Sequence, residues 1–407
     1  MFDGAGRTLE KATIVVENDK IAMVEEGVRS SHTASATVIN AEGKTVLPGL
    51  IDSHVHLGSD PTELNWQLAY LKQPLIPHGL LSLFAYRNAV DCLRAGFTTL
   101  RNIENPGENA GVPLRQAIQM GIVSGPRILT SGTIAATGST IDFDKPVSLR
   151  RSPGELADGE DEVRRQVRKR VREGVDFIKT FAYGGIQDMM QPKRRLARCY
   201  TEPELVAMVD EAHAHGLKVA AHVEASEGIE MCINSGVDSI EHGFLLKDEN
   251  IRAMASKGTF LVPTLSPVER LAHGNVEGSN ADVTKSYTAI WRHFEEYFPH
   301  CIRAGVKIAM GTDTWREVSA VKFGGNAYEL ELLVRLGMTE AQALTSATGT
   351  AAELLGIDEV VGLLAPGKLA DIVVVDGNPL RDITVLQHRD KIAYVLKDGK
   401  IVSSTPS

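Results

Sequence analysis

The sequence predicts an α/β protein: a barrel of eight parallel strands alternating with helices, plus a small β-domain assembled from the two chain ends. Three observations carry this. Between residues 48 and 360, eight apolar β-type runs alternate with segments of helical spacing. Residues 1–47 and 361–407 are strand-rich instead. Ionisable residues close several of the eight runs, the end at which such barrels hold their sites. Together they describe a (β/α)8, TIM-like barrel with a small β-sandwich domain formed by the N- and C-terminal segments.

In residues 1–47, Ala12-Thr-Ile-Val-Val16 and Lys20-Ile-Ala-Met-Val24 are β-rich, with Glu17-Asn18-Asp19 as the turn of a hairpin. Val38-Ile39-Asn40 and Lys44-Thr-Val-Leu47 read as two more strands, and Phe2-Asp3-Gly4 as the end of another. Such a sheet is too small to stand alone. The barrel strands are expected at 49–56, 98–103, 126–131, 175–180, 218–223, 237–242, 259–264 and 306–313. Between them, Val163, Val167 and Val171 recur every four residues while Arg164, Arg165, Arg168, Lys169 and Arg172 fill the other faces, which predicts an amphipathic helix over 160–173. A helix over 202–215 opens with Thr201-Glu-Pro-Glu, a capping residue followed by proline and acids. From 361 on, Asp371-Ile-Val-Val-Val-Asp376, Ile392-Ala-Tyr-Val-Leu396 and Lys400-Ile-Val402 are strands, with Lys397-Asp398-Gly399 as a hairpin turn. The two ends are expected to complete one another's core.

Composition excludes several function classes. The 407 residues are 43% hydrophobic and 23% charged, enough for a sizeable core. A net charge of −9 argues against a general nucleic-acid surface. Cys92, Cys199, Cys232 and Cys301 lack the short spacings of a disulfide framework or a cysteine zinc site. No apolar run approaches the ~20 residues of a membrane span. No signal-peptide pattern opens the sequence, so a cytoplasmic location is expected.

The chemistry is read from what ends each run. Leu47-Pro-Gly-Leu-Ile-Asp-Ser-His-Val-His56 ends in His54 and His56. On a strand, residues i and i+2 share a face about 6.6 Å apart, so both imidazoles can meet one metal ion. The fourth run ends in Lys179, the fifth in His222, the sixth in His242 and the eighth in Asp313. A second His-x-His, His213 and His215, closes a predicted helix, where i and i+2 point roughly 200° apart and cannot share an ion. Nitrogen and carboxylate ligands of this kind suit zinc, with manganese or cobalt as alternatives. Lys179 is the odd member. Burial lowers a lysine pKa, and a neutral amine can form a Schiff base with a carbonyl substrate or a carbamate with CO2, whose two oxygens can bridge two metals. The four histidines favour the carbamate.

These pieces resemble the amidohydrolase superfamily, in its binuclear branch with a carboxylated lysine. The matching motifs are 47–56, Phe177-Ile-Lys179, Ala221-His222, Asp238-Ser-Ile-Glu-His-Gly243, Gly311-Thr-Asp313, Ala347-Thr-Gly-Thr-Ala-Ala352 and Gly362 to Asp371. Within the superfamily the chain is similar to the imidazolonepropionase-like dipeptidases and ochratoxin-type amidases. The resemblance implies that His54, His56 and Asp313 hold one divalent ion and His222 and His242 another, with carboxylated Lys179 and a hydroxide between them. It implies hydrolysis of an amide (N-acyl amino acid or dipeptide-like), carbamate or urea C–N bond, with Lys179 and His242 part of the catalytic apparatus and Asp313 moving the proton. It disfavours deamination, because that branch carries His-x-x-Glu where this chain has His222-Val223-Glu224. A Schiff-base lyase on Lys179 and a hydrolase of a lactone or cyclic amide are the alternatives.

Around the site, residues 58–78 hold Trp66 and Tyr70 as a candidate lid. Relatives are expected to carry a Gly-Gly-His-Gly segment after strand three, where this chain has Ser139-Thr140. They are expected to carry Ser-Gly-Gly after strand four, where it has Tyr183-Gly184-Gly185. Ser139, Thr140, Tyr183, Glu224 and Trp66 are therefore candidate substrate contacts, as is Arg316, whose guanidinium suits a carboxylate. A small-molecule substrate and a homo-oligomer are expected, with no nucleic-acid or membrane partner.

Overall fold

A computed structural model of the chain describes residues 1–28, 36–60, 76–104, 110–137, 139, 156–183, 198–276, 279–315 and 322–404. Its centre is a seven-stranded parallel sheet, β4 (Leu50–Val55), β5 (Phe97–Asn102), β6 (Arg127–Ile134), β7 (Phe177–Phe181), β8 (Lys218–Val223), β9 (Ser239–His242) and β10 (Phe260–Val262). The strands neighbour one another in chain order. That order, with helices between, is what successive right-handed crossovers build. Their side chains are buried nearly throughout, as expected for strands covered on both faces.

The eighth predicted run is not a regular strand. Residues 307–314 make isolated parallel bridges at both edges of the sheet, Ile308 with Leu261 of β10 and Thr314 with Val55 of β4. Between these bridges two of its amides leave the ladder. Met310 N–H donates to the Ser346 carbonyl at 2.9 Å and Thr312 N–H to Asp52 Oδ1 at 3.1 Å. The seven strands therefore form a nearly closed barrel, with this segment spanning the gap.

The helices follow their sequence signals. α1 (His78–Arg94), α2 (Gly111–Gln119), α3 (Glu160–Glu173) and α4 (Glu202–Ala214) follow the first four barrel strands. α5 (Ser226–Asn234), α6 (Asp248–Lys257) and α7 (Leu265–Ala272) follow the next three. α8 (Ala281–Ala304), α9 (Tyr328–Arg335), α10 (Glu340–Ser346) and α11 (Gly349–Leu355) come after. α3 buries Val163 and Val167, begins with three acids and ends with basic residues, so its charges complement the helix dipole. α4 carries the capping box that Thr201 and Glu204 predict: Thr201 N–H donates to Glu204 Oε2 at 2.7 Å.

At the ends of the chain, β1 (Ala12–Glu17) and β2 (Lys20–Glu26) form the predicted hairpin, with Asn18 in the left-handed conformation at its turn. β3 (Thr45–Pro48) pairs antiparallel with β11 (Ile372–Val375), joining an N-terminal strand to a C-terminal sheet completed by β12 (Ile392–Lys397) and β13 (Lys400–Ser404). Ile21, Ile372, Val374 and Leu396 share one apolar cluster against which Ile14, Val24 and Val46 pack. Val38-Ile39-Asn40, expected as a strand, is irregular. The Asn40 side chain accepts from Glu42 N–H at 2.9 Å, building a local turn that competes with strand pairing. Among the described residues no helix is long and apolar enough to cross a membrane.

Candidate metal centre

Strand register brings the predicted residues to one end of the barrel. His54 is next to last in β4, and His56 lies one residue beyond that strand. His222 is next to last in β8 and faces Glu241 in register, while Val223 faces His242, the last residue of β9. Lys179 lies deeper than expected. β7 continues two residues past it, because Phe181 pairs with His222. Asp313 sits in the bridging segment, its N–H donating to the His54 carbonyl at 2.7 Å.

The side chains converge. Asp313 Oδ1 is 2.9 Å from His56 Nε2 and 3.4 Å from His54 Nε2. Ligand atoms of His54, His56 and Asp313 all lie within 4.8 Å of one another. The rings then run around the barrel mouth, with centroids 5.3 Å apart for His54 and His56, 5.2 Å for His54 and His242, and 4.5 Å for His242 and His222. Lys179 is 1% exposed, its Nζ 5.4 Å from the centre of the Phe181 ring.

Electrostatics favour neutral imidazoles at His54 and His242. Burial drives the His54 and His242 imidazoles far below the usual histidine range, and the Lys179 charge adds to it. Burial also pushes Lys179 down to about 8, although Glu241 and Asp313 oppose it. Burial favours the neutral form of Asp313, but the facing His54 and His56 rings outweigh it and hold the carboxyl below its ordinary range.

The ring orientations are set by groups that sequence reasoning did not single out. His54 Nδ1 is 2.6 Å from Glu241 Oε2, and Glu241 Oε1 accepts from Arg101 Nη2 at 2.6 Å and from Ser239 Oγ at 2.6 Å. Arg101 also donates through Nε to the Ser53 carbonyl. His242 Nδ1 is 2.7 Å from Thr264 Oγ1. The His54 and His242 rings thus have Nδ1 engaged, leaving Nε2 for a ligand, the arrangement that orients metal-binding histidines. His242, Thr264 and Asp313 have φ of 73°, 48° and 50°. Left-handed backbone at non-glycine residues is costly and gathers at functional sites. Two signals were available in the sequence. Glu241 immediately precedes a ligand candidate, and Thr264 ends the seventh run as the others end theirs.

The remaining predicted residues scatter. Glu224 is buried beside His222, its Oε1 3.3 Å from His222 Nε2. Tyr183 bridges to Arg198 and packs against the core, with Gly228 of α5 close to its ring. Ser139 is fully buried. Trp66, Thr140 and Arg316 lie outside the described residues, as does most of the candidate lid. The other His-x-His pair is separate from the site: His213 Nε2 is 2.9 Å from Asp238 Oδ2, and His215 faces Glu211.

Residues 45–402 match the amidohydrolase family. The chain belongs to it. It is a hydrolytic enzyme, as this membership and its relatives indicate. Ochratoxinase from Aspergillus niger is 30% identical over 98% of this chain and 85% of its own. Imidazolonepropionase from Geobacillus kaustophilus is 26% identical over 97% of this chain and 90% of its own. A crystal structure of a Xaa-Pro dipeptidase with bound methionine in the active site superposes with a TM-score of 0.86 at 32% identity, covering 99% of this chain and 97% of that one.

Proposed function

We propose that this amidohydrolase cleaves an amide, carbamate or urea C–N bond, of N-acyl amino acid or dipeptide-like substrates first, at the ring formed by His54, His56, Lys179, His222, His242 and Asp313. The observation that carries the reading is Asp313 Oδ1 placed 2.9 Å from His56 Nε2 and 3.4 Å from His54 Nε2. This donor set suits a divalent first-row ion: two imidazoles and a carboxylate, with Nε2 of His54 left to coordinate by the Nδ1 contact to Glu241. His54, His56 and Asp313 would hold one ion, and His222 and His242 a second. Lys179 would sit between them as a carbamate, its neutral amine adding to CO2 and losing a proton. Zinc is favoured, with manganese or cobalt as alternatives.

Two ions so held would lower the pKa of a bound water and would polarise the scissile carbonyl. The protein does the rest. Asp313 is the base within reach: it takes the proton of the attacking water and returns it to the leaving nitrogen. Glu241 and Thr264 hold the His54 and His242 rings in place throughout. The Xaa-Pro dipeptidase structure, with methionine bound in its active site, supports C–N cleavage of amino-acid-like amides.

Removing metal with a chelator should abolish turnover of a panel of N-acyl amino acids, dipeptides, aryl carbamates and ureas, and added Zn²⁺ or Mn²⁺ should restore it. Activity indifferent to both treatments overturns the reading. Asp313→Asn should reduce kcat by at least about 10²-fold, the scale of a lost general base. A second reading, a Schiff base on Lys179, draws on that residue's burial and lowered pKa. Borohydride trapping with a carbonyl substrate would leave a lysine adduct if it holds and none under the hydrolase reading. The proposal includes a homo-oligomer and a β-domain built from residues 1–47 and 361–407 around a barrel of 48–360. Light scattering and limited proteolysis test these two points.

A further inference from the structure

Asp313 holds left-handed backbone, φ 50°, between two threonines whose partners lie outside the ligand ring. One buried carboxylate fixes those threonines. Asp52 Oδ1 accepts from the N–H groups of His54 at 3.0 Å and Thr312 at 3.1 Å, and Oδ2 accepts from Thr312 Oγ1 at 2.8 Å. Thr312 Oγ1 in turn accepts from Thr314 N–H at 3.1 Å and lies 2.6 Å from Thr314 Oγ1. A fourth donor comes from beyond the bridging segment: Asn326 Nδ2 donates to Asp52 Oδ2 at 2.7 Å. Four donors use the acceptor sites of the carboxylate. Asp52, Thr312, Thr314 and Asn326 are all fully buried.

The direction of the Asn326 amide follows from its other contacts. Its Oδ1 accepts from Gly324 N–H at 3.0 Å and from Cys92 Sγ at 3.3 Å, so Nδ2 is the atom turned to Asp52. Three residues on, Glu329 of α9 reaches the same place by another route. Ser266 Oγ lies 2.6 Å from a Glu329 oxygen and 3.2 Å from the Thr312 carbonyl oxygen. Thr312 is thus braced from two sides, by Asn326 through Asp52 and by Glu329 through Ser266. Left-handed backbone at a non-glycine residue persists only where its surroundings over-determine it, and these contacts surround Asp313.

We propose that Asn326 is a positioning residue for Asp313. Through Asp52 and Thr312 it fixes the backbone that presents the Asp313 carboxylate to His54 and His56. This rests on the hydrolase reading above, in which Asp313 is ligand and base, and adds the residue that keeps it in place.

The roles of the two side chains can be exchanged. Asp52→Asn alone leaves one donor facing another, and Asn326→Asp alone sets two carboxylates face to face. The double variant Asp52→Asn/Asn326→Asp restores one donor and one acceptor, and the carboxylate then at position 326 still accepts from Gly324 and Cys92. Asn326→Ala, which leaves Asp52 its other three donors, is the milder companion. Zinc affinity is measured by titration. Thermal midpoint is measured on the same samples, with kcat per bound zinc and KM at saturating Zn²⁺ on whichever panel substrate wild type cleaves fastest. Each single variant should lose at least about tenfold in zinc affinity and in kcat per bound zinc, the scale of a lost outer partner of a metal ligand, with KM nearly unchanged. The double variant should recover most of both, the non-additivity of a direct contact. Unchanged zinc affinity and kcat in Asn326→Ala overturn the proposal, as does a folded double variant without recovery. A lowered thermal midpoint with normal kcat per bound zinc, or failure of every variant to fold, makes the network purely structural and overturns it too. Zinc affinities in the expected order with no panel substrate cleaved by wild type retire the hydrolase reading and leave the positioning role standing. Active wild type with variants equally active does the reverse.

Discussion

His242 Nδ1 lies 2.7 Å from Thr264 Oγ1, a contact made by two residues that both hold left-handed backbone at the ends of adjacent strands. A β-branched residue adopts that conformation only where its surroundings compel it. The surroundings here are Glu329 of α9, whose carboxyl oxygens accept from the Leu265 and Ser266 N–H groups at 2.7 and 2.8 Å and from Ser266 Oγ at 2.6 Å. The first turn of α7 is thereby held, and with it the hydroxyl that orients His242. Thr264→Val keeps the shape and removes the hydroxyl. It should weaken binding of the proposed second metal by about 10–100-fold, and Thr264→Ser should restore most of it. Zinc titration followed by mass spectrometry of bound metal measures both.

Arg101 and Glu241 form a pair buried to 4% and 0% exposure. Arg101→Met leaves the Glu241 charge unpaired beside His54 and should cost roughly 3–5 kcal/mol in denaturant unfolding. Replacing both residues by apolar ones of similar size should cost far less stability, while still reducing metal affinity through the lost His54 contact. A double-mutant cycle separates the two effects.

Gly311 lies where the bridging segment passes β4. A Cβ there would come within 2.5 Å of Val262 Cγ1 and 2.9 Å of His54 Cβ. Gly311→Ala should displace His54 or open the barrel closure, lowering both thermal midpoint and metal affinity. An unchanged midpoint with full zinc content would contradict this packing.

Burial pushes the Glu329 carboxyl up to about 8 from its ordinary 4.5, against the hydrogen bonds it accepts. Below about pH 4.5 both folded and unfolded chains are protonated at this site, and its contribution to stability is intact. As pH rises toward 8 the unfolded chain releases the proton that the folded chain keeps, so stability declines across that window and levels off above it. Unfolding midpoints of Glu329→Gln should therefore fall less between about pH 5 and pH 8 than those of wild type. Parallel curves would show that Glu329 ionises normally.

Much of this was legible in the residues themselves. Strand periodicity carries His54 and His56 to one face whatever the rest of the chain does, because alternation is a property of the strand. Runs ending in Lys179, His222, His242 and Asp313, alternating with helices such as 160–173, determined a barrel with its ionisable residues at one end. The hairpins at Glu17-Asn18-Asp19 and Lys397-Asp398-Gly399 were local as well, since turn chemistry needs only the turn. What the tertiary structure alone decided depends on partners far apart in sequence. Residues 307–314 bridge both sheet edges without a regular ladder, because Ser346 and Asp52 take the amides of Met310 and Thr312. Val38-Ile39-Asn40 forms no strand, because the Asn40 side chain offers a nearer acceptor. Arg101 reaches Glu241 and Thr264 reaches His242 because side chains from separate strands meet only once the barrel closes. No spacing along the chain encodes those distances, and it is those distances that orient the His54 and His242 rings.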